Sequence, residues 1–167
     1  MARVAVVEIR DANDEDWVEI WPIFHEVVQA RETYAFDPAI GSEAARALWM
    51  EHPPSRTTAA VVDGRVVGSA RMGPNRQGPG AHVGTASFVV ASAARGHGVG
   101  RALAEDMVTW HRREGFHGIS FNAVVETNTP AVALWRALGF EIVGTVPEAF
   151  RHPRHGLVGL HVMWLAL

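Results

Sequence analysis

Apolar positions recur along the chain with two periods, alternation over short runs and a helical spacing over longer ones, and the switches between them mark the elements. Val4–Ile9 is a short β-rich run ending in Arg10-Asp11-Ala12-Asn13-Asp14, a polar cluster suited to leaving a strand and capping a helix. Trp17, Ile20, Phe24, Val27 and Val28 then recur at helical spacing. Pro22 must kink that helix or stand in the first turn of a second segment, so a bent first helix is expected. A connection through Tyr34-Ala35-Phe36-Asp37-Pro38 leads to a short helix over Ser42–Met50, with Ser42 as its N-cap and His52-Pro53-Pro54 as its stop.

Thr57–Val62 and Arg65–Met72 are β-rich runs joined by Asp63-Gly64, the strongest short-range hairpin signal. After a loop over Gly73–Gly80, a fourth strand is expected over His82–Val90, with Thr85, Ser87 and Val89 alternating against Ala86, Phe88 and Val90. Gly98–Arg113 carries Val99, Leu103, Met107 and Trp110 on one stripe and meets Glu114-Gly115, a helix with its glycine stop. Ile119–Val125 predicts a fifth strand, Thr129–Leu138 a helix ended by Gly139, and Phe140–Val146 a sixth strand. A histidine-rich loop with Pro147, Pro153 and Gly156 then precedes a seventh strand over Val158–Leu165. The order describes one α/β domain of layered α+β type, a mixed sheet with helices on its faces.

Composition narrows the chemistry. A chain of 167 residues with 48% hydrophobic content fits a single domain. Fifteen basic against 18 acidic residues leave a formal net charge of -3, so no bulk attraction to nucleic acid or an anionic membrane exists, and an anionic ligand must be held locally. All 15 basic residues are arginine, which excludes a Schiff-base lysine and a Walker-type lysine. The absence of cysteine excludes disulfides, thiolate metal clusters and a cysteine nucleophile. No run approaches the roughly 18 apolar residues of a membrane span, and acidic residues interrupt the N-terminal segment before a signal peptide could build up, so a soluble cytoplasmic protein is expected.

Arg95-Gly96-His97-Gly98-Val99-Gly100-Arg101 lies between the predicted fourth strand and the next helix. Its glycines let backbone N–H groups turn inward, the helix N-terminus adds about half a positive charge, and Arg95 and Arg101 can add charge-assisted bonds; a pyrophosphate fits such a cradle. The plain alternative is a glycine-rich turn with solvated arginines. The spacing is GxGxG rather than GxGxxG, and the preceding run is not the first strand of a βαβ unit, which disfavours a dinucleotide fold.

That turn resembles the coenzyme A loop of the GNAT superfamily of N-acetyltransferases, (R/Q)xxGx(G/A). About thirty residues further on, Asn128-Thr129-Pro130-Ala131-Val132-Ala133-Leu134-Trp135-Arg136-Ala137-Leu138-Gly139-Phe140 resembles the second signature, NxxAxxLYxxxGF, at every position but the tyrosine. Arg31–Phe36 is similar to the same region of phosphinothricin-type acetyltransferases. The resemblance spans essentially the whole chain. It implies a mixed, mostly antiparallel seven-stranded sheet with four helices, splayed fourth and fifth strands, and acetyl-CoA as cosubstrate without a metal. It places Phe88, Val89 and Val90 against the pantetheine arm. It places the turn from Arg95 through Gly96, His97, Gly98, Val99 and Gly100 to Arg101 on the pyrophosphate, and Asn128 and Trp135 near the pantetheine end. Asn128 also reads as a helix N-cap, and both roles can coexist.

Direct acetyl transfer needs a neutral amine, a donor for the oxyanion and an acid for the departing thiolate. The resemblance nominates the backbone N–H of Val90 for the oxyanion. Trp135 replaces the family's acidic tyrosine, and an indole is no proton-transfer acid near neutral pH. Ala123 occupies a position where some relatives carry a catalytic glutamate. Tyr34, the only tyrosine, is a candidate catalytic or substrate-contacting residue, with a half-buried aromatic beside Phe36 as the plain alternative. His82, Glu126 and Asn122, which shares a strand face with Glu126 by period two, are candidate bases or polarising groups, His82 and Asn122 ahead. His152, His155 and His161 have metal-like spacing, but Pro153 breaks any helix that would join the rings, and a polar loop is favoured. That loop, through Glu148, Arg151 or His152, is expected near the acceptor. The expected partner is a small-molecule amine, with a homodimer common among relatives. A non-catalytic acyl-CoA sensor and a protein N-terminal acetyltransferase remain as alternatives.

Overall fold

The computed structural model describes residues 6–167. Its elements follow the order β1 (Glu8–Asp11), α1 (Trp17–Ala30), α2 (Ser42–Trp49), β2 (Arg56–Val62), β3 (Arg65–Pro74), β4 (Val83–Val90), α3 (Val99–Arg113), β5 (Gly118–Val125), α4 (Thr129–Ala137), β6 (Glu141–His152) and β7 (Gly156–Ala166). The strands form one seven-stranded sheet in the order β1-β2-β3-β4-β5-β7-β6. Every neighbouring pair is antiparallel except β4 and β5, which run parallel. This is the mixed, mostly antiparallel sheet with four helices that the resemblance implies.

Strand alternation sends side chains to two cores, one on each face. Ala70 and Met72 of β3 pack with Leu103 and Met107 of α3 and Trp135 of α4. The opposite face receives Trp17, Ile20, Phe24, Val27 and Val28 of α1 together with Trp49 of α2. Trp49 is fully buried, and its indole N–H donates to Ser69 Oγ at 2.9 Å while the Ser69 hydroxyl donates to the Thr58 carbonyl at 2.7 Å. The buried polar atoms of that layer are therefore paired with each other, as burial demands.

The polar cluster after β1 caps the next segment as expected. Asn13 Oδ1 accepts from the backbone of Glu15 and Asp16, and Asp16 Oδ2 accepts from the backbone of Asn13 in return. Arg10 grips both oxygens of Asp16 at 2.7 and 2.8 Å, and this pairing holds the Asp16 carboxyl below its usual range.

Three expectations are corrected and one is narrowed. The first ladder runs over Glu8–Asp11, paired with Thr58–Val61, because Arg10 and Asp11 extend the edge strand rather than leave it; Val4 and Ala5 of the expected run lie outside the described residues. Of the two outcomes expected at Pro22, a kink or the first turn of a second segment, the second does not occur, since α1 continues through Pro22 to Ala30. Gly41, not Ser42, is the N-cap of α2, since the Ser42 hydroxyl accepts the indole N–H of Trp17 at 3.0 Å. The expected loop after β6 is largely strand: β6 runs to His152 with a register shift between Val146 and Phe150. Pro147, which has no N–H, and Glu148, at φ 54°, fall inside that irregularity, where the ladder asks no bond of them.

His111 of α3 is fully buried beneath β4, where a Cβ on Gly84 would come within 2.2 Å of its ring. Its Nδ1–H donates to the Met107 carbonyl at 2.9 Å. Burial pushes its pKa below the ordinary value, with the backbone of Met107 and Gly73 opposing in part. A depressed histidine pKa means that the unfolded chain takes up the proton first as pH falls. The stability His111 contributes is then complete above about pH 6.5 and declines below it, by up to about 1.4 kcal/mol per pH unit. Denaturation of the wild type and of His111→Gln between pH 7.5 and 5 should show the flatter pH dependence in the variant; equal slopes would contradict the assignment.

Candidate active site

β4 and β5 are bonded only at Val83–Gly118 and Gly84–Ile119. Beyond that point each strand follows its other neighbour. β4 stays on β3 through Val90, with the Ala91 N–H bonded to the Val67 carbonyl at 2.9 Å, while β5 stays on β7 through a register shift between Phe121 and Val124. A wedge opens between them, the splay the resemblance implies. Because strand peptide groups alternate in direction, Val89 turns its N–H and C=O into the β3 ladder, and Phe88 and Val90 present theirs to the wedge. Of the three residues expected against the arm, Val89 borders the large cavity but keeps its backbone in the β3 ladder, and its side chain is buried at 1% exposure.

The Phe88 peptide has a partner that alternation alone does not suggest. Tyr34, in the connection after α1, accepts the Phe88 N–H at 2.7 Å and donates its own O–H to the Phe88 carbonyl at 2.8 Å. Burial raises the Tyr34 pKa above its ordinary value, partly opposed by the Phe88 backbone and the charge of Arg71, so the phenol is neutral at physiological pH.

The chain leaves β4 through a 3-10 turn at Ser92–Ala94 and reaches α3 across Gly96 and Gly98, at φ 75° and 83°. A Cβ would meet open space at either glycine, so the requirement is conformational rather than steric. Gly98 is the N-cap of α3 and supplies no side chain, which leaves the first N–H groups of the helix facing outward with the positive end of its dipole. Val99 contributes backbone only, since its side chain is in the core at 1% exposure. His97 braces the turn through a 2.9 Å bond from Nδ1 to the Arg95 carbonyl. Gly96, Gly98, Gly100 and the arginines Arg95 and Arg101 line a cavity of about 690 Å³ that continues along Phe88–Val90 to Asn128.

Asn128 caps α4, accepting the Ala131 N–H at 3.4 Å, and borders both this cavity and a second one of about 320 Å³ at the apex of the wedge. Trp135 floors the second cavity at 7% exposure, its ring 4.9 Å from Phe88 and 4.6 Å from Phe121, part of a packed aromatic cluster with Phe140. The ionisable residues lining this cavity are Tyr34 and Arg71. A third, polar cavity of about 310 Å³ adjoins it and shares Arg71, Thr85, Ser87 and Asn122.

The expected site residues separate into two groups. The turn, Phe88, Val90, Asn128, Trp135 and Tyr34 come together around the wedge. His82 does not: it precedes β4 at the closed end, its carbonyl bonded to the His117 N–H at 2.8 Å, about 20 Å of strand from Phe88. Asn122 borders the wedge, but its amide is engaged in a reciprocal pair with Asn75 at 3.0 and 2.7 Å. The shift in β5 breaks the period that would align it with Glu126, whose carboxylate accepts the Gly159 N–H at 2.5 Å. At the β6–β7 turn, His152 is buried and its Nδ1 accepts from the backbone of Arg154 and His155, while His161 pairs with Thr145. His152 lines the large cavity; Glu148 and Arg151 line none of the three.

Sequence reasoning missed Arg71, Ser87, Asn75 and Thr127. Arg71 and Ser87 were within reach of hairpin alternation, which places them with Ser69 on the α1–α2 face; the Asn75–Asn122 pair depends on tertiary approach. The Thr127 hydroxyl is buried beside the large cavity with no protein partner among the described residues. An orphaned hydroxyl, the outward peptide of Val90 and a helix start without a side-chain cap fit the amide-rich arm and diphosphate of coenzyme A.

The chain is similar over its full length to solved structures. A GCN5-related N-acetyltransferase from Kribbella flavida is 63% identical with a TM-score of 0.94, covering 96% of this chain and 98% of that one. A ribosomal-protein-alanine N-acetyltransferase from Brucella melitensis is 27% identical with a TM-score of 0.85, covering 96% and 99%. A phosphinothricin acetyltransferase from Sinorhizobium meliloti, solved with acetyl-CoA, is 26% identical with a TM-score of 0.83, covering 99% and 89%. N-acetyltransferase aca1 of Schizosaccharomyces pombe is 32% identical over 90 residues, 54% of this chain. The chain spans less than half the length of the curated relatives it matches. The pattern of the acetyltransferase (GNAT) family matches residues 6–140, across both the wedge and its amide-lined turn, and the chain belongs to that family.

Proposed function

We propose that this protein transfers the acetyl group of acetyl-CoA to the amine of a small metabolite, an amino acid or an amino-acid-like toxin. The observation that carries the reading is the parting of β4 from β5 directly above a helix start without a side-chain cap. Acetyl-CoA supplies the acetyl group as an activated thioester. The N–H groups of the Gly96–Arg101 turn hold the diphosphate, helped by Arg95 and Arg101, and Thr127, Asn128 and the Val90 peptide hold the arm. The Val90 N–H is placed to stabilise the oxygen that gains charge. Tyr34, a phenol kept protonated by its burial and lining the apical cavity, takes the part that the indole of Trp135 cannot, once its O–H turns from the Phe88 carbonyl to the departing sulfur.

Among the described residues no carboxylate or imidazole lines the apical cavity. The acceptor nitrogen therefore loses its proton to water before attack. This favours a second reading, a non-catalytic acyl-CoA sensor, which Trp135 and Ala123 also support. A thiol-release assay over an amine panel separates the two: release that depends on one amine supports the enzyme, whereas tight acetyl-CoA binding without turnover supports the sensor.

For an active enzyme, kcat/KM should rise with pH at a slope of one proton until the acceptor's own pKa is reached; a plateau near pH 6–7 would reveal a protein base instead. Tyr34→Phe should lower kcat by about 10²-fold with acetyl-CoA affinity little changed, and an unaltered kcat would remove the acid role. Gly98→Asp sets a carboxylate at a position that needs positive φ and faces the diphosphate. Calorimetry should show acetyl-CoA binding weakened by about tenfold or more, and an unchanged Kd would place the diphosphate elsewhere.

A further inference from the structure

We infer that the acceptor carries an anionic group beside its amine and that Arg71 holds it, so that the substrate is a free α-amino acid or close analogue rather than a peptide N-terminus or a simple amine. The inference rests on the acetyl-transfer reading above and narrows its acceptor.

Position comes first. Arg71 on β3 is the register partner of Ser87 on β4, one residue before Phe88. Neighbouring strands lie about 4.8 Å apart and a residue rises about 3.4 Å, which puts the base of the Arg71 side chain within one residue's reach of the Phe88 peptide. Arg71 projects on the face of α1 and α2, where its guanidinium lies 5.8 Å from the centre of the Trp49 ring. It borders both the apical cavity and the polar cavity beside it.

The hydrogen bonding of Arg71 leaves a usable edge. Nη1 donates to the Leu48 carbonyl at 2.6 Å, which fixes the guanidinium plane. The same Nη1 reaches Glu51 at 3.3 Å, longer than the 2.7–2.9 Å of a strong charge-assisted bond. Both contacts run from one nitrogen, so among the described residues the Nε–Nη2 edge keeps the planar fork that matches a carboxylate. Ser87 stands beside it as a further hydroxyl. An α-amino acid, whose amine and carboxylate share one carbon, can set its nitrogen in the wedge while its carboxylate lies on this fork.

Charge separates the acceptor classes. The ionisable residues lining the two cavities are Tyr34, Arg71, Arg76 and Glu51: one neutral phenol, two guanidiniums and one carboxylate. The excess is positive, which repels polyamines and basic peptides and attracts an acid. A peptide N-terminus has no carboxylate at this position, because its own is consumed in the amide bond.

The test is a thiol-release assay with acetyl-CoA over the free α-amino acids, each paired with its α-carboxamide and its decarboxylated amine. At least one acid should exceed its amide and amine by about tenfold or more in kcat/KM, the scale of a hydrogen bond to a charged group. Arg71→Gln should abolish that preference while the calorimetric Kd for acetyl-CoA stays within about twofold, and Arg71→Lys, which keeps the charge but not the fork, should retain part of it. Amides or amines reacting as well as acids, no acid reacting at all, or a preference that survives Arg71→Gln would each overturn the inference. A wild-type protein that does not bind acetyl-CoA would instead remove the acetyl-transfer reading itself.

Discussion

Two pairs of residues hold β4 to β5, Val83 with Gly118 and Gly84 with Ile119, and the site depends on the ladder ending there. A strand peptide deprived of its neighbour must find another partner, and in this sheet the deprived groups lie in the middle of the molecule rather than at an edge. The stronger attachments on either side enforce the parting. β4 is bonded to β3 along its whole length, β5 to β7 along most of its own, and neither can close the wedge without breaking a ladder already made. Aromatic packing keeps the gap from collapsing, because Trp135, Phe88 and Phe121 fill its floor.

The parts of this arrangement that local chemistry determines were readable in the chain. Asp63-Gly64 forms the hairpin turn, with positive φ at both residues, and Gly96 and Gly98 adopt the positive φ expected of a backbone that must turn its N–H groups into an anion cradle. Asn128 caps α4 ahead of Pro130. What escaped the sequence was set by distance. Tyr34 and Phe88 are 54 residues apart, Asn75 and Asn122 are 47, and no local pattern encodes either meeting. His82 looked suitable because it opens the right strand, but a strand is long, and the residue stands at the end where the wedge is shut. Period two failed at Glu126 because a register shift in β5 resets which face each side chain takes, and a second shift, in β6, lets the strand run on past Pro147, which read as loop.

The chemical consequence is a division of labour between two faces. On the α3–α4 side, backbone amides and a helix end suit a large anionic carrier without any lysine in the chain. On the α1–α2 side lie the buried phenol of Tyr34, Arg71 and a polar cavity held in shape by the Asn75–Asn122 pair. Trp135, standing where relatives have an acid, belongs to the floor of the wedge rather than to its proton chemistry.

The central claim is that the outward peptide of Val90 and the amides of the glycine turn are completed by the cosubstrate, and amide hydrogen exchange with and without acetyl-CoA tests it directly. The Val90 amide and those of Gly96–Arg101 should become strongly protected on addition of the ligand, while the Val89 amide, already in the β3 ladder, should not change. Equal exchange at Val90 in the two states, with acetyl-CoA demonstrably bound, would contradict the account.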